Sequence, residues 1–259
     1  MPDYSKVDTP DILSYVFYPR DESGACPKYA FDHFIPVDDA VAIHCRFYKE
    51  DDAWPWILYF HGNGEVVSDY DELSLFYFKY KLNIAVVDYR GYGKSNGTPT
   101  VANMTRDAHK VFESVRAALA EKNLKDDIWI MGRSLGSVSA IEIAYKHGPD
   151  INGLIIESGF PSISSLIIRH GIASADMSLD SITEECLGML KAITVPVLVI
   201  HGEYDTLVPP DEAETIMENI GSPNKNLLMI PGATHSDIMF MGLRQYMEAI
   251  RQFVDSTSA

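Results

Sequence analysis

Short apolar runs alternate with longer segments of mixed polarity along most of the chain. Several of the runs are apolar at nearly every position, which is typical of strands that are buried on both faces of a parallel sheet. The pattern therefore predicts an α/β fold in which a mostly parallel eight-stranded sheet is flanked by helices. The predicted strands span residues 14–20, 41–49, 54–60, 83–89, 127–132, 151–158, 195–202 and 226–232.

The segments between the strands have the spacing of amphipathic helices. Apolar residues recur every three or four positions in 105–123 and again in 243–254. Pro209 and Pro210, followed by acidic residues, are typical of a helix N-terminus, and Gly221 is suited to end that helix. Helices of this kind are the expected cover for the two faces of the sheet.

Residues 161–194 break the alternation of strands and helices. This stretch lies between the sixth and seventh predicted strands, and it is too long for a plain crossover. We expect it to form a small, partly helical cap that is inserted after strand six into one domain spanning residues 1–259.

A serine with two nearby glycines follows the fifth predicted strand. The sequence there reads Gly132-Arg133-Ser134-Leu135-Gly136, and a helical pattern begins directly after it. A serine on such a sharp strand-to-helix turn needs small neighbours, because the two backbones pass closely. Ser134 Oγ would then lie at the carboxyl edge of the sheet, where open α/β sheets bind ligands, so Ser134 is the candidate nucleophile. Arg133 is expected to pair with a nearby acid or, alternatively, to contact an anionic substrate.

A serine hydroxyl is a weak nucleophile that needs a base, and the base needs an orienting carboxylate. His235 follows the last predicted strand and Asp205 follows the strand before it, so both belong to the same edge as Ser134. We expect His235 to be the general base and Asp205 to be the acid that orients it. Glu203 and Glu157 are the alternative acids.

An acyl-transfer site also needs backbone N–H groups that face the developing negative charge. Leu135, directly after the candidate nucleophile, is expected to supply one of them in the oxyanion hole. The loop after the third predicted strand has Gly62 and Gly64, which allow a close approach to substrate. Asn63 is expected to supply the second N–H group, with Gly64 as the alternative. His61 in the same loop is expected to be structural.

The overall charge excludes several classes of partner. The chain has 37 Asp and Glu residues against 21 Lys and Arg, which gives a formal net charge of −16. A nucleic-acid partner requires a basic surface, and an anionic membrane would repel this one. No apolar run approaches the roughly 18 residues that a membrane-spanning helix requires. Neither a nucleic-acid partner nor a membrane span is therefore expected.

The cysteines and the N-terminal residues favour a cytoplasmic protein. Cys26, Cys45 and Cys186 lie far apart and are odd in number, unlike the dense, even cysteines of a secreted disulfide framework. The first residues have neither the basic nor the apolar stretch of a signal peptide. We therefore expect reduced thiols and a cytoplasmic location.

Two other chemistries are poorly supported by the spacing of residues. Gly93-Lys94-Ser95 follows a strand, as a phosphate-binding loop would, but Asp88 occupies the place of that motif's first glycine and no helix pattern starts there. The eight histidines lack the short paired spacings of a metal site. No cofactor or metal is therefore expected.

The motifs together resemble those of the α/β-hydrolase superfamily and, in detail, the serine hydrolases of its Bem46 and serine-aminopeptidase-like group. Members of this group include esterases, lipases, acyl-protein thioesterases and peptidases. The resemblance rests on His61-Gly62-Asn63-Gly64, Asp88-Tyr89-Arg90-Gly91-Tyr92-Gly93-Lys94-Ser95, Gly132-Arg133-Ser134-Leu135-Gly136, His201-Gly202 with Asp205 and Val208-Pro209, and Gly232 with His235.

The resemblance implies the α/β-hydrolase fold and a serine hydrolase that forms an acyl-enzyme. A small-molecule ester or acyl substrate is expected, cleaved at a carboxylic ester or thioester. A serine peptidase and a catalytically silent binding module are the alternatives. The apolar run 238–241 next to His235 is expected to be core or, alternatively, to line an acyl pocket.

Overall fold

The computed structural model describes residues 2–22, 24–172 and 179–258. Its strands form one sheet in which the two pairings at one end are antiparallel and the others are parallel. The predicted mostly parallel eight-stranded sheet is therefore confirmed. The strands are β1 (Ala30–Asp38), β2 (Val41–Tyr48), β3 (Trp56–Phe60), β4 (Asn83–Val87), β5 (Ile128–Arg133), β6 (Gly153–Glu157), β7 (Val197–Gly202) and β8 (Lys225–Ile230), and their order in the sheet is β1-β2-β4-β3-β5-β6-β7-β8.

Helices connect the strands and cover both faces of the sheet. They are α1 (Pro10–Val16), α2 (Tyr70–Lys79), α3 (Val101–Glu121), α4 (Gly136–His147), α5 (Ile163–Arg169), α6 (Asp180–Ala192), α7 (Pro210–Asn219), α8 (Ile238–Met241) and α9 (Leu243–Thr257). Side chains of α3, α4 and α6 belong to the apolar core on one face, and side chains of α2 and α9 belong to the core on the other. Within the described residues, no helix combines the length and the apolar character needed to span a bilayer.

The predicted strand over residues 14–20 was wrong, because this segment includes the end of α1. Pro10 occupies the first helical position, where its fixed φ and missing N–H do no harm. Ile12 and Val16 are four residues apart and both are buried, so they form one face of a helix. Phe17, which follows the helix, is extended and buried as well. The segment is apolar, as the predicted strand requires, but its buried residues have the spacing of a helix.

The first strand of the sheet is instead β1, which lies outside the strands that the apolar pattern predicts. It is an edge strand that pairs only with β2 among the described residues. Ile35 and Val37 are buried, whereas Phe34, Pro36 and Asp38 between and beside them are exposed. An edge strand tolerates proline and polar residues because one side of its backbone forms no hydrogen bonds with a neighbouring strand. The interrupted apolar pattern hid the strand.

The insertion between β6 and β7 contains α5 and α6, and part of it, residues 173–178, lies outside the described residues. Helix α6 packs against α4 and α7, as a crossover helix in the layer beside the sheet does. Helix α5 buries Ile163 and Ile167 but exposes Ile168. The expectation that residues 161–194 form a small cap inserted after strand six stays a prediction.

Candidate active site

Ser134 lies on a strained turn at the carboxyl end of β5. Its φ is +50°, in the left-handed region that side chains other than glycine avoid at a cost of order 1–3 kcal/mol. Its backbone N–H donates to the carbonyl oxygen of Glu157 on β6, at 2.9 Å. This contact and the packing of α4 hold the turn, so Ser134 Oγ stands at the edge of the sheet as the sequence predicts.

Gly132 and Gly136 allow α4 to start close to the sheet. A Cβ added to Gly132 would lie 2.4 Å from the carbonyl oxygen of Gly136, and one added to Gly136 would lie 2.1 Å from the carbonyl oxygen of Phe60. Both distances are well inside van der Waals contact, and the atoms that would have to move are backbone atoms. The spacing of these two glycines is therefore a packing requirement of the turn.

The structure brings Ser134, His235 and Asp205 into one chain of hydrogen bonds. His235 Nε2 lies 3.0 Å from Ser134 Oγ, and His235 Nδ1 lies 2.8 Å from Asp205 Oδ2. With a carboxylate at Nδ1, the favoured neutral imidazole carries its proton on that nitrogen and leaves Nε2 free to accept the serine proton. The three residues come from the loops after β5, β7 and β8.

Asp205 is held as an ionised acceptor. It is buried, and its Oδ1 accepts hydrogen bonds from the backbone N–H groups of Leu207 at 3.0 Å and Val208 at 2.8 Å. Burial alone would raise the pKa of Asp205, but the hydrogen bonds from His235 and Val208 outweigh it and lower the pKa. A charged carboxylate is what an imidazolium at His235 needs beside it.

The two alternative acids are engaged elsewhere. Glu203 accepts the backbone N–H of Gly232 at 2.9 Å. Glu157 bonds Arg133 at 3.1 Å, and it accepts the hydroxyl hydrogen of Tyr246 at 2.7 Å. Neither carboxylate has a hydrogen bond to His235 in the described part of the chain, so the geometry favours Asp205.

The loop after β3 places Asn63 beside the site. The side-chain oxygen of Asn63 accepts hydrogen bonds from the Tyr18 backbone N–H at 2.9 Å and from the Tyr92 hydroxyl at 2.6 Å. The backbone N–H groups of Asn63 and Leu135 have no acceptor among the residues in the described ranges. These two groups are the expected oxyanion donors, and neither is committed to another partner there.

His61 at the start of this loop has the contacts of a structural residue. It is fully buried, and its Nδ1 lies 2.8 Å from the carbonyl oxygen of Gly62. Its own carbonyl oxygen accepts the hydroxyl hydrogen of Tyr89 at 2.5 Å. On the other side, its Nε2 lies 3.4 Å from Asp88 Oδ1. The buried imidazole therefore holds the loop in its conformation.

Glu22, His44 and Asp88 have ligand atoms within 4.8 Å of one another, a spacing that could hold a metal ion. His44 Nδ1, however, already bonds Asp88 at 2.9 Å. Glu22 Oε1 lies 2.9 Å from Arg46 and 3.3 Å from Lys94. Since these cations lie among the carboxylates, we assign the group as a buried ion network. Lys94 is thereby engaged in ion pairs and does not stand at a helix N-terminus.

A known protein family matches most of this chain, including the part that carries the site. The hydrolase family described as serine aminopeptidase, S33, matches residues 53–178 and 164–239, a span that includes the Ser134, His235 and Asp205 positions. The chain belongs to this family. This result confirms the resemblance that the motifs predict.

Two named relatives of this S33-family chain come from fission yeast and human. Protein bem46 of the fission yeast Schizosaccharomyces pombe is 31% identical over 195 residues, which cover 73% of this chain and 64% of that protein. The human alpha/beta hydrolase domain-containing protein 17B is 28% identical over 217 residues, which cover 82% of this chain and 70% of that protein. This chain thus spans less than two thirds of the length of the yeast relative.

Solved structures place the S33-family chain in the α/β-hydrolase fold. The Pyrococcus furiosus esterase Pf2001 superposes with a TM-score of 0.75 at 20% identity, covering 93% of this chain and 99% of that one. A monoacylglycerol lipase from Paleococcus ferrophilus superposes with a TM-score of 0.64 at 18% identity, covering 83% and 99%. At these identities the likeness shows the shared fold.

Two buried polar residues support the site of this S33-family chain, although motif spacing gave them no role. The Tyr92 hydroxyl anchors Asn63, as described above. His201 Nε2 donates to the carbonyl oxygen of Val208 at 2.7 Å and so supports the turn that presents Asp205. Burial lowers the pKa of His201, so its imidazole is neutral at neutral pH. The sequence signal for this role of His201 is the presence of a histidine within the apolar run of strand β7.

The apolar run 238–241 contributes to a cavity beside the His235 loop. The cavity has a volume of about 240 Å³. Ile238 is buried, whereas Phe240 and Met241 are largely exposed, so the run is not core as a whole. The residues lining the cavity are Tyr59, Glu65, Asp69, Tyr70, Leu73, Tyr77, Arg133, Glu157, Ser236, Ile238, Met239, Phe240 and Tyr246.

We expect Gly136→Ala to destabilise the protein, because the added methyl group would overlap the carbonyl oxygen of Phe60. Overpacking of this kind costs about 1–3 kcal/mol, and backbone atoms relax less than side chains. The matched control is Gly188→Ala in α6, where an added Cβ meets nothing within 4 Å. Since alanine favours helices, the control should raise the free energy of unfolding by up to about 1 kcal/mol. Urea unfolding measures both changes, and equal stabilities of Gly136→Ala and the wild type would contradict the packing argument.

Proposed function

We propose that this protein is a serine hydrolase that cleaves a carboxylic ester or thioester through Ser134, His235 and Asp205. The hydrogen-bond chain of 3.0 Å and 2.8 Å that joins the three side chains supports the proposal. Membership of a hydrolase family agrees with it. The proposed chemistry requires no cofactor.

In the proposed first step, His235 Nε2 takes the proton of Ser134 Oγ while Oγ attacks the substrate carbonyl carbon. Asp205 stabilises the imidazolium that forms. The N–H groups of Leu135 and Asn63 are assigned to the negative oxygen of the tetrahedral intermediate. The alcohol or thiol leaves with the proton from His235, and an acyl group remains on Ser134. Water, activated by the same imidazole, then releases the carboxylic acid.

The surroundings of the triad favour an apolar substrate. Exposed apolar side chains flank the proposed acid and follow the proposed base: Tyr204, Leu207, Phe240 and Met241. The formal charge of −16 disfavours anionic substrates in general. Among the structural neighbours, one is named an esterase and another a monoacylglycerol lipase. We therefore propose an ester or thioester with an uncharged acyl group.

A peptidase is the second candidate, because the family carries the description of a serine aminopeptidase. Amide hydrolysis uses the same triad but demands accurate protonation of an amine leaving group. A catalytically silent binding module is the remaining alternative, and the assembled triad disfavours it.

The test is to measure kcat/KM for p-nitrophenyl esters from acetate to palmitate, with Ser134→Ala as the blank. We expect Ser134-dependent turnover with a maximum at one chain length. Amino-acid p-nitroanilides, measured in parallel, test the peptidase. Turnover of the anilides alone would replace the esterase proposal with the peptidase, and rates at the blank level for both substrate classes in folded protein would favour a binding module.

We also propose a cytoplasmic location. Cys26, Cys45 and Cys186 are all free thiols, and two of them are buried. Unpaired buried cysteines are typical of proteins in a reducing compartment. Fractionation of the native host cells would test this, and recovery of the protein in the secreted fraction would contradict it.

A further inference from the structure

Arg133, directly before the proposed nucleophile, uses three sides of its guanidinium to contact three segments. Its Nη1 bonds Glu65 in the loop after β3, and its Nε bonds Glu157 at the end of β6 at 3.1 Å. Its Nη2 donates to the backbone carbonyl oxygen of His235 at 2.8 Å. The side chain is largely buried, with 14% of it exposed.

Both carboxylates that flank Arg133 are themselves anchored. The second oxygen of Glu65 accepts hydrogen bonds from the Gly62 backbone N–H at 2.9 Å and from the Tyr70 hydroxyl at 2.7 Å. Burial alone would raise the pKa of Glu65, but the charge of Arg133, together with smaller contributions from His61, the Tyr70 hydroxyl and the Gly62 N–H, outweighs burial and lowers the pKa. The network therefore reaches directly into the loop that carries the proposed oxyanion donor.

The anchoring of Glu157 is equally complete. Its second oxygen accepts hydrogen bonds from the hydroxyls of Tyr246 at 2.7 Å and Tyr59 at 3.2 Å. Its backbone carbonyl oxygen accepts the N–H of Ser134. The carboxylates of Glu65 and Glu157 thus neutralise Arg133 and leave it little attraction for an anionic substrate.

We infer that Arg133 is a positioning residue, whose guanidinium fixes the His235 loop and the oxyanion loop relative to Ser134. This inference rests on the proposed function. Of the two roles that the sequence allows for Arg133, the contacts favour pairing with acids over binding an anionic substrate.

A guanidinium is suited to this role because its planar fork donates in several fixed directions at once. A lysine ammonium is close to a point charge and has a shorter reach. It cannot donate to Glu65, Glu157 and the His235 carbonyl oxygen together in the same geometry. Arg133→Lys therefore keeps the charge and loses the positioning.

Misplacing the base and the oxyanion donors raises the energy of the transition state without weakening ground-state binding. A displacement of about 1 Å can cost roughly 100-fold in rate. We therefore expect Arg133→Lys to lower kcat by about 10- to 100-fold and to leave KM within about twofold.

The matched control is Arg90→Lys, measured beside Arg133→Lys on the full chain. Arg90 is a second buried arginine between two carboxylates, with contacts of 2.5 Å to Asp107 and 2.7 Å to Asp38. Both variants should lower the melting temperature, but Arg90→Lys should keep kcat within about twofold, because Arg90 does not contact the triad or Glu65. The substrates are a neutral ester, p-nitrophenyl butyrate, and an anionic one, p-nitrophenyl hemisuccinate.

Each outcome decides between the roles of Arg133. A fall in kcat on both esters with unchanged KM supports positioning. A rise in KM confined to the hemisuccinate would overturn it in favour of substrate binding. An unchanged kcat, or an equal fall of kcat in Arg90→Lys, would reduce Arg133 to a stabilising residue.

A wild-type protein without Ser134-dependent turnover would instead overturn the proposed function itself. If Arg133→Lys does not fold, Glu65→Gln serves in its place, and it should lower kcat with KM unchanged.

Discussion

Replacement of Ser134 by alanine is expected to lower kcat by roughly 10⁴-fold or more. The change removes the atom that would attack the substrate, and the remaining members of a triad cannot replace it. The fold should persist, since the Ser134 side chain makes one hydrogen bond, to His235, within the described residues. Ester hydrolysis, measured together with circular dichroism and the melting temperature, tests both parts of this expectation.

Ser139→Ala is the matched control for this substitution. Ser139 is a buried serine in α4, the helix that follows the turn. Its hydroxyl has no hydrogen-bond partner in the described ranges. Its loss should therefore leave kcat unchanged. Substantial hydrolysis by Ser134→Ala would refute the assignment of the nucleophile.

Replacement of Asp205 by asparagine is expected to lower kcat by about 10⁴-fold. The oxygen of the new amide can keep the hydrogen bonds from the N–H groups of Leu207 and Val208, so the turn should remain intact. The amide nitrogen would then face His235 Nδ1 and favour the tautomer with a proton on Nε2. That imidazole cannot accept the proton of Ser134.

Glu203→Gln provides the control for Asp205→Asn. Glu203 lies two positions away in the same loop, and its hydrogen bond with the Gly232 N–H survives the change to glutamine. Its kcat should match that of the wild type in the same ester assay. If Glu157→Gln lost more activity than Asp205→Asn, Glu157 would be the acid of the triad.

The central strands could be predicted from the sequence because burial on both faces demands continuous apolar residues. Strands β5, β6 and β7 follow this rule, and their predicted bounds agree with the structure to within a few residues. Strand β1 could not be found in this way, since one of its edges is unpaired and polar residues and Pro36 are tolerated there. Helix α1 could not be distinguished from a strand in the sequence, because a short buried helix and a short buried strand have similar composition.

The candidate triad could be predicted because parallel strands bring their carboxyl ends to one edge. Ser134, Asp205 and His235 each follow a strand, so their order along the chain was sufficient to place them together. The partners of Arg133 could not be predicted in the same way. Glu65, Glu157 and His235 are separated from it by 68, 24 and 102 residues, and their contacts depend on loop conformations that no local pattern specifies.

Covalent labelling with a fluorophosphonate, followed by peptide mapping, tests the central claim most directly. The reagent phosphonylates a serine only where a base and oxyanion donors activate it, and it requires no knowledge of the natural substrate. We predict a single adduct on the peptide that contains Ser134, absent from Ser134→Ala and slowed strongly in His235→Ala. A folded protein that remains unlabelled, or that carries the adduct on another residue, would contradict the account.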